Sequence, residues 1–355
     1  MLLRSLKDTN QRGLKSMRMY AFTKLKGYFM TAKYRIDNLS DRRYCDFFLN
    51  PTNCLYSEFE NKFGMEAADS VFSSLYNQTK PNPFRQIIPI NVVHDSSTIK
   101  YVFKLHDDRQ VETVCIKRRT GITVCLSTQV GCSIGCLFCE SGKNGFYRNL
   151  TASEIIQQFL FVTESINRIV FMGIGEPLNN YDEVIRAIHI LRDRKGIDFP
   201  TDGISLSTVG PIPTLERLKQ ESLKIQLVIS LHATDQETRN YLIPGMKKYN
   251  INEIISEAFA YQRKHNRKLS IAYLVLPGIN DSDENIFKLI QWFRNKNVVI
   301  NLMKFNGTNS KVFITATEKC IQMFKKKLTN GGLEVTVRES TGKSLHAACG
   351  QLITK

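Results

Sequence analysis

From about residue 120 onward, short runs rich in β-branched residues alternate with amphipathic segments whose apolar residues lie three and four positions apart. Runs of the first kind are typical of buried strands, and segments of the second kind are typical of helices that cover a sheet. Their alternation predicts an α/β core with a parallel sheet, built as an open doubly wound sheet or as an incomplete barrel. In both architectures the loops at the carboxyl ends of the strands form the functional site.

The pattern predicts six strands and six helices in this part of the chain, and a further short strand over 334–338. The first helix is expected to begin at a capping box formed by Thr151 and Glu154. The predicted strands are 121–127, 168–173, 203–208, 225–231, 268–275 and 298–303, and the predicted helices are 151–165, 181–194, 213–220, 251–264, 283–296 and 316–330.

Residues 1–100 lack this alternation, and we expect them to form a small, mainly helical accessory domain before a core that spans 101–355. The segment 77–91 contains three prolines, which is typical of a connection between two units. Residues 1–50 carry eleven basic and four acidic side chains, which favours contact with nucleic acid. A solvated basic tail and an organelle-targeting peptide are the alternatives for this segment.

The whole chain carries 49 Lys and Arg against 33 Asp and Glu, a net charge of +16 that favours a polyanionic partner such as nucleic acid. No apolar run is long enough to span a membrane, and the N-terminus lacks the apolar core of a secretory signal. We therefore expect a cytoplasmic protein that does not associate with membranes and whose cysteines are reduced.

Three cysteines, Cys132, Cys136 and Cys139, follow the first predicted strand within eight positions. A structural zinc site normally has four ligands, and no further Cys or His follows Cys139 at the usual spacing. A disulfide conflicts with a reducing compartment. A cluster of four irons needs one ligand for each iron, so three thiolates would leave the fourth iron open to a substrate or cofactor.

The stretch "GCSIGCLFC" (131–139) resembles the CxxxCxxC motif of radical S-adenosyl-L-methionine (SAM) enzymes, including the aromatic Phe138 before the last cysteine. The resemblance implies a 4Fe-4S cluster on the three cysteines, with SAM bound at the open iron and cleaved by one electron to a 5′-deoxyadenosyl radical. It also implies a partial six-stranded βα barrel, in agreement with the predicted strands, and a reductant such as flavodoxin or ferredoxin.

Ten further stretches resemble one branch of this superfamily, the RlmN and Cfr methyltransferases of ribosomal RNA, and they occur in family order across 111–352. They are "VETV" (111–114), "CLSTQVGC" (125–132), "RNLTASEI" (148–155), "FMGIGEPLNN" (171–180), "LSTVG" (206–210), "SLHATDQETR" (230–239), "IPGMKKYNI" (243–251), "LPGINDS" (276–282), "INLMKFN" (300–306) and "HAACGQL" (346–352). The resemblance implies a monomer that methylates an adenine of RNA.

Polar residues at the predicted strand ends suit recognition of the ribose, amino and carboxylate groups of SAM. Glycine allows close approach of the backbone to a ligand, and a carboxylate can accept from an ammonium group. The resemblance assigns SAM binding to Gly175, Glu176, Ser207, Ser230, Leu231, His232 and Asn306, with His232 as a binding contact rather than a base.

The resemblance also assigns catalytic roles to Glu112, Cys125 and Cys349. Cys349 would be methylated by one SAM, and a radical from a second SAM would activate that methyl group for addition to the adenine carbon. Glu112 would then remove the proton from that carbon. Cys125 would attack the sulfur of Cys349, which releases the methylated RNA and leaves a disulfide.

Several alternatives stay open at this point. The leading hypothesis is methylation at carbon 2 of an adenosine in 23S rRNA, with tRNA as an additional substrate. Methylation at carbon 8, as in Cfr-like proteins, a radical SAM enzyme with a non-RNA substrate, and a basic RNA-binding protein with a structural metal are the others. The chain departs from the family pattern at Glu140, at His346 and in "KFNG" (304–307).

Overall fold

The computed structural model describes residues 87–353, apart from residue 163, residues 195–196 and residues 308–311, and in this part of the chain ten strands form one sheet. The strand order is β1-β2-β3-β4-β7-β8-β9-β10-β11-β12, and β5 pairs with β6 in a separate hairpin. The strands are β1 (Ile87–His94), β2 (Thr98–Leu105), β3 (Gln110–Arg118), β4 (Gly121–Leu126), β5 (Gln129–Gly131), β6 (Phe146–Asn149), β7 (Ile166–Phe171), β8 (Ile204–Thr208), β9 (Gln226–Ser230), β10 (Leu269–Val275), β11 (Val298–Lys304) and β12 (Glu334–Val337).

The six predicted strands are present as β4 and β7 to β11, and all their mutual pairings are parallel. Their spatial order follows their order in the chain, without the reversal that defines a doubly wound sheet. Since crossovers between parallel strands are right-handed as a rule, this order places the connecting helices on one face, as in an incomplete barrel. The prediction of a partial barrel is confirmed. Every residue of β10 is buried, as expected for a central parallel strand covered on both faces.

Helices follow the parallel strands as predicted, and α2 begins at the capping box of Thr151 and Glu154. The short helices α1 and α5 were not predicted, since neither is long enough to show a clear helical period. The helices are α1 (Glu140–Lys143), α2 (Ala152–Phe161), α3 (Tyr181–Arg192), α4 (Ile212–Gln220), α5 (Gln236–Leu242), α6 (Ile251–His265), α7 (Asp283–Phe293) and α8 (Glu318–Asn330). None of the described helices is long and apolar enough to cross a membrane.

The predicted N-terminal helical unit lies mostly outside the described residues, and its last part, from Ile87, forms strands. Residues 1–86 lie outside the described residues, but from Ile87 the chain forms β1 and β2, which pair antiparallel with each other and through β3 with β4. The predicted domain boundary at residue 100 therefore lies within β2. The prolines of 77–91 obscured this strand, since Pro89 lies beside a register shift in β1.

Gln158 of α2 joins the outer helices to the end of β4, where the site begins. Its side chain is fully buried and accepts from the Thr113 hydroxyl at 2.7 Å and from the Ser127 N–H at 2.9 Å. Its amide nitrogen donates to the Ser127 carbonyl at 3.0 Å. One side chain thus satisfies both backbone groups of the residue that follows β4, where no strand partner is available to them.

We expect Gln158→Leu to lower the free energy of unfolding by about 3 kcal/mol, because it leaves the backbone of Ser127 and the Thr113 hydroxyl buried without partners. Gln291→Leu on the exposed side of α7 is the matched control, with an expected change below about 0.5 kcal/mol. Urea denaturation followed by circular dichroism measures both variants. Equal changes in the two variants would contradict the role given to Gln158.

Candidate active site

The loop that carries the three cysteines (residues 132–139, the cluster loop) is held by main-chain hydrogen bonds at both ends. Cys132 N–H donates to the Gly145 carbonyl at 2.9 Å, which ties the start of the loop to the β5–β6 hairpin. Leu137 N–H donates to the Leu242 carbonyl at 3.0 Å at the end of α5. These bonds do not involve the thiols, so all three sulfur atoms remain available as ligands.

The thiols of the cluster loop lie in a low-dielectric environment. Burial raises the pKa of Cys132 to about 12 and raises the pKa of Cys136 and of Cys139. Local groups favour the thiolate at two of the three positions: the N–H groups of Ile134 and Gly135 at Cys132, and Ser141 with the Gly142 N–H at Cys139. Metal cations would therefore have to displace the thiol protons when they bind.

The donor set fits an iron–sulfur cluster by its chemistry. Three free thiols, Cys132, Cys136 and Cys139, lie on one loop. In a 4Fe-4S cluster each thiolate binds a different iron, so three thiolates would hold three of the four irons.

The glycines after β7 bring this turn against the end of β4. A Cβ atom on Gly173 would lie 2.7 Å from the Leu126 carbonyl, and Gly175 has a φ of +104°. Ile174, between the two glycines, is bonded to the residues that follow β4. Its N–H donates to the Ser127 hydroxyl at 2.9 Å, and its carbonyl accepts from Thr128 N–H at 2.8 Å. The glycines are thus required by close contact within the protein, which places Glu176 beside the cluster loop.

Glu176 is the acidic centre of the candidate SAM site. It accepts from the Thr208 hydroxyl at 2.6 Å, from Val209 N–H at 3.0 Å and from Leu178 N–H at 3.0 Å. Burial nevertheless raises the pKa of Glu176 to about 7. An ammonium group would compensate the buried charge of this carboxylate. Thr208 was missed by sequence reasoning, although it lies beside the predicted Ser207 at the end of β8.

The ends of β8 and β9 bring the other predicted SAM-binding residues together. The hydroxyls of Ser207 and Ser230 are 3.2 Å apart, and Leu231 N–H donates to the Ala272 carbonyl on β10 at 3.1 Å. His232 has a φ of +57°, and its Nδ1 accepts from Leu274 N–H at 3.0 Å. Burial lowers the pKa of His232 to about 3, so the ring is neutral and its Nε2 carries the proton as a donor.

Residues 342–353, the C-terminal tail, lie against the cluster loop. Glu140 N–H donates to the Gly350 carbonyl at 2.8 Å, and the Ser141 hydroxyl donates to the Leu352 carbonyl at 2.8 Å. Asn306 donates through Nδ2 to the Cys349 carbonyl at 3.1 Å, while its buried Oδ1 has no partner among the described residues. The free Oδ1 is an acceptor available to a ligand, which fits a SAM-binding role.

Glu140, the departure from the family pattern beside the cluster, is explained by its place at the start of α1. Its side chain forms an ion pair with Lys143 on the same helix, which neutralises its charge. Its backbone N–H binds the tail. The structure gives no comparable account of His346, which has a φ of +49° at the end of a 3-10 turn.

Cys125 and Cys349 are electrostatic neighbours although they lie 224 positions apart in the chain (349 − 125). Cys125 is 8% exposed on β4, whereas Cys349 is exposed on the tail. Burial, and then the neighbouring Cys349, raise the pKa of Cys125 to about 12. All cysteines of the described residues are free thiols, so the disulfide expected between these two is not formed in this state.

Glu112 is buried on β3 and binds the C-terminal tail. Its Oε2 accepts from Ile353 N–H at 3.1 Å, and its Oε1 pairs with Lys100 Nζ at 3.1 Å. Lys100 also donates to the His346 carbonyl at 3.4 Å. Lys100 was not predicted as a site residue, because it lies in the segment assigned to the accessory domain. The C-terminal tail, Glu112 and Lys100 thus form one network of hydrogen bonds and an ion pair.

Comparisons with known proteins agree with this geometry. Residues 126–290 match the family model described as the Radical SAM superfamily. A probable RNA methyltransferase of Rhodopseudomonas palustris is 48% identical over 253 residues, which cover 71% of this chain and 70% of the relative. A probable dual-specificity RNA methyltransferase RlmN of Dictyoglomus turgidum is 37% identical over 311 residues, which cover 80% of this chain and 89% of the relative.

Among solved structures, the crystal structure of a radical SAM methyltransferase from Sphaerobacter thermophilus superposes with a TM-score of 0.80 at 31% identity and covers 86% of this chain and 99% of that chain. The match thus extends well beyond the radical SAM motif to most of the chain. This chain belongs to the RlmN family of radical SAM RNA methyltransferases.

Proposed function

We propose that this protein methylates carbon 2 of an adenosine in 23S rRNA, with tRNA as a second substrate, through a methylated-cysteine intermediate. The observation that carries the proposal is the position of Cys349, which is exposed on a tail docked against the cluster loop and interacts with the buried Cys125. The names of the relatives, dual-specificity RNA methyltransferases, support RNA as the substrate. We further propose a cytoplasmic monomer that uses an external low-potential reductant.

The residues assigned to the cofactors would bind them by metal ligation, by charge and by hydrogen bonding. The thiolates of Cys132, Cys136 and Cys139 would hold a 4Fe-4S cluster, which supplies the single electron for reductive cleavage of SAM. Glu176 would accept from the amino group of SAM, because its buried charge needs a cation. Asn306 offers its unpaired Oδ1, while its Nδ2 holds the Cys349 carbonyl. Asn306 therefore links the bound cofactor to the tail.

Cys349 would carry the transferred carbon. Its sulfur would be methylated by one SAM, and that methyl group would then lose a hydrogen atom to the radical derived from a second SAM, so two SAM molecules are used in each turnover. The methylene radical would add to carbon 2 of the adenine, and the adduct would give up one electron to the cluster and the proton of carbon 2 to Glu112 as the general base. When the sulfur–carbon bond breaks, its electron pair would stay on the methylene carbon, and protonation there completes the methyl group.

Cys125 would release the RNA. Its thiolate attacks the sulfur of Cys349, so that a sulfur–sulfur bond forms while the bond to the methylene carbon breaks. Because burial raises the pKa of Cys125 to about 12, this thiol is protonated at neutral pH, and its proton would pass to the methylene carbon as the sulfur–sulfur bond forms. The resulting disulfide must be reduced by an external dithiol before the next turnover.

Mass spectrometry of nuclease-digested rRNA and tRNA from cells with and without the protein tests the proposed product. We expect 2-methyladenosine only where the protein is expressed, and the Cys349→Ala variant should give none. Finding 8-methyladenosine instead would assign the Cfr-like activity, and finding neither nucleoside would contradict RNA methylation.

We expect Cys125→Ala to accumulate a covalent protein–RNA adduct, because the nucleophile that resolves the adduct is missing. Denaturing purification followed by nuclease digestion and mass spectrometry of the peptide containing Cys349 detects it. Cys320→Ala, which removes a half-buried thiol on α8, is the matched control and should give no adduct. Adduct-free Cys125→Ala protein with normal cluster content would contradict the mechanism.

We expect Lys100→Met to lower methylation about tenfold or more, because the buried Glu112 then loses its ion-pair partner. The same variant should accumulate part of the adduct seen with Cys125→Ala, since proton removal precedes release. Lys104→Met is the control on the same strand, where the lysine pairs with the exposed Asp108. Full activity of Lys100→Met would show that Glu112 does not need this partner.

A further inference from the structure

Arg239 of α5 is a buried cation whose hydrogen bonds are mostly unmade. It is 1% exposed, and its Nη2 donates to the Val209 carbonyl at 2.7 Å. Its Nε and Nη1 are also buried and have no acceptor among the described residues. Donors left unpaired in the interior cost free energy unless a ligand satisfies them. These unpaired donors indicate that an anion binds beside the Arg239 guanidinium.

The groups around Arg239 belong to the candidate active site. Burial lowers the pKa of Arg239 to about 10, so the guanidinium is still charged at neutral pH, and Cys136 and Glu176 act on it electrostatically. Glu176 already accepts from three donors, those of Thr208, Val209 and Leu178. Glu176 therefore does not need the unpaired N–H donors of Arg239, and these donors are available to the thiolates of the cluster loop.

The cluster loop is bonded to α5, the helix that carries Arg239. Leu137, the residue after Cys136, donates through its N–H to the Leu242 carbonyl at 3.0 Å, about one turn beyond Arg239. Just after α5, Gly245 N–H donates to the Ile134 carbonyl of the same loop at 2.9 Å. The two unpaired donors of Arg239 therefore belong to the element that holds the loop next to Cys136.

We propose that Arg239 is a positioning residue for the iron–sulfur site, where it acts as the counter-ion at Cys136 and makes the cluster easier to reduce. This proposal rests on the cluster of the proposed function. One-electron reduction by an external low-potential donor adds a negative charge to a buried site, and a nearby cation stabilises that charge. Net charge and hydrogen bonds to the sulfur atoms are known to set the potentials of such clusters.

The test is a potentiometric titration, followed by electron paramagnetic resonance, of the anaerobically reconstituted holoenzyme without SAM and without RNA. We expect Arg239→Met to lower the equilibrium constant for reduction at least tenfold, which shifts the midpoint potential by about 59 mV to more negative values. Arg239→Lys, which keeps the charge but not the fork of donors, should recover at least half of the shift. Arg217→Met, which removes an exposed arginine paired with Asp182 on the outer helices, should leave the midpoint unchanged.

The carboxylate of SAM is the other anion that could bind Arg239, and a titration without SAM distinguishes it from the cluster. If Arg239 served that carboxylate alone, the midpoint measured without SAM would be unchanged in Arg239→Met while SAM affinity fell, and the proposal would be wrong. An Arg239→Lys midpoint as negative as that of Arg239→Met would also overturn the counter-ion role. Iron content and far-ultraviolet circular dichroism check that each variant is folded and loaded.

If Arg239→Met does not retain a cluster, Arg239→Gln replaces it, because glutamine keeps an N–H donor for Val209 and removes only the charge. The same negative shift is expected, and an unchanged midpoint counts against the proposal. Since no step of this titration involves RNA, failure of the proposed methylation would leave the potential shift intact. Conversely, a normal methylation product with an unchanged midpoint would reject only the role of Arg239.

Discussion

The main-chain bonds of the cluster loop are the constraint on which the rest of the site depends. On one side the loop binds the end of α5 through Leu137, and on the other side the following helix α1 binds the tail through Glu140 and Ser141. These contacts use backbone groups or a hydroxyl rather than the thiols. The loop can therefore keep its position whether the sulfur atoms carry protons or metal, and the same contacts bring Cys349 next to it.

The site is also organised by buried charges that the protein only partly compensates. Lys100 and Glu112 neutralise each other at 3.1 Å and are joined to the tail, so this pair is complete without a ligand. Glu176 and Arg239 are different, since no ion pair satisfies either of them among the described residues and burial shifts the pKa of both towards the neutral form. An unpaired buried charge costs free energy, and the charges of SAM and of a thiolate-bound cluster would compensate these two.

Much of the fold was predictable because strand and helix periods are local properties of the chain. The six parallel strands and their helices were found in this way, whereas β1 to β3 were missed because their pairing is antiparallel and extends the sheet beyond the βα repeat. The same error hid Lys100. Lys100 pairs with Val114 across β2 and β3, which places it on the same face as Glu112 two positions along, and only the register of the sheet reveals this neighbour.

The sequence alone determined the kinds of groups available: three closely spaced thiols, an acidic residue after a glycine turn, and two further cysteines in family motifs. These follow from composition and spacing, which do not change on folding. Only the tertiary structure decided which groups are buried, which are paired and which face one another. It showed that Glu140 is neutralised by Lys143, that Cys349 is exposed beside a buried Cys125, and that Arg239 has donors to spare. Burial and pairing depend on contacts between distant segments, and they set the charge and reactivity of each group.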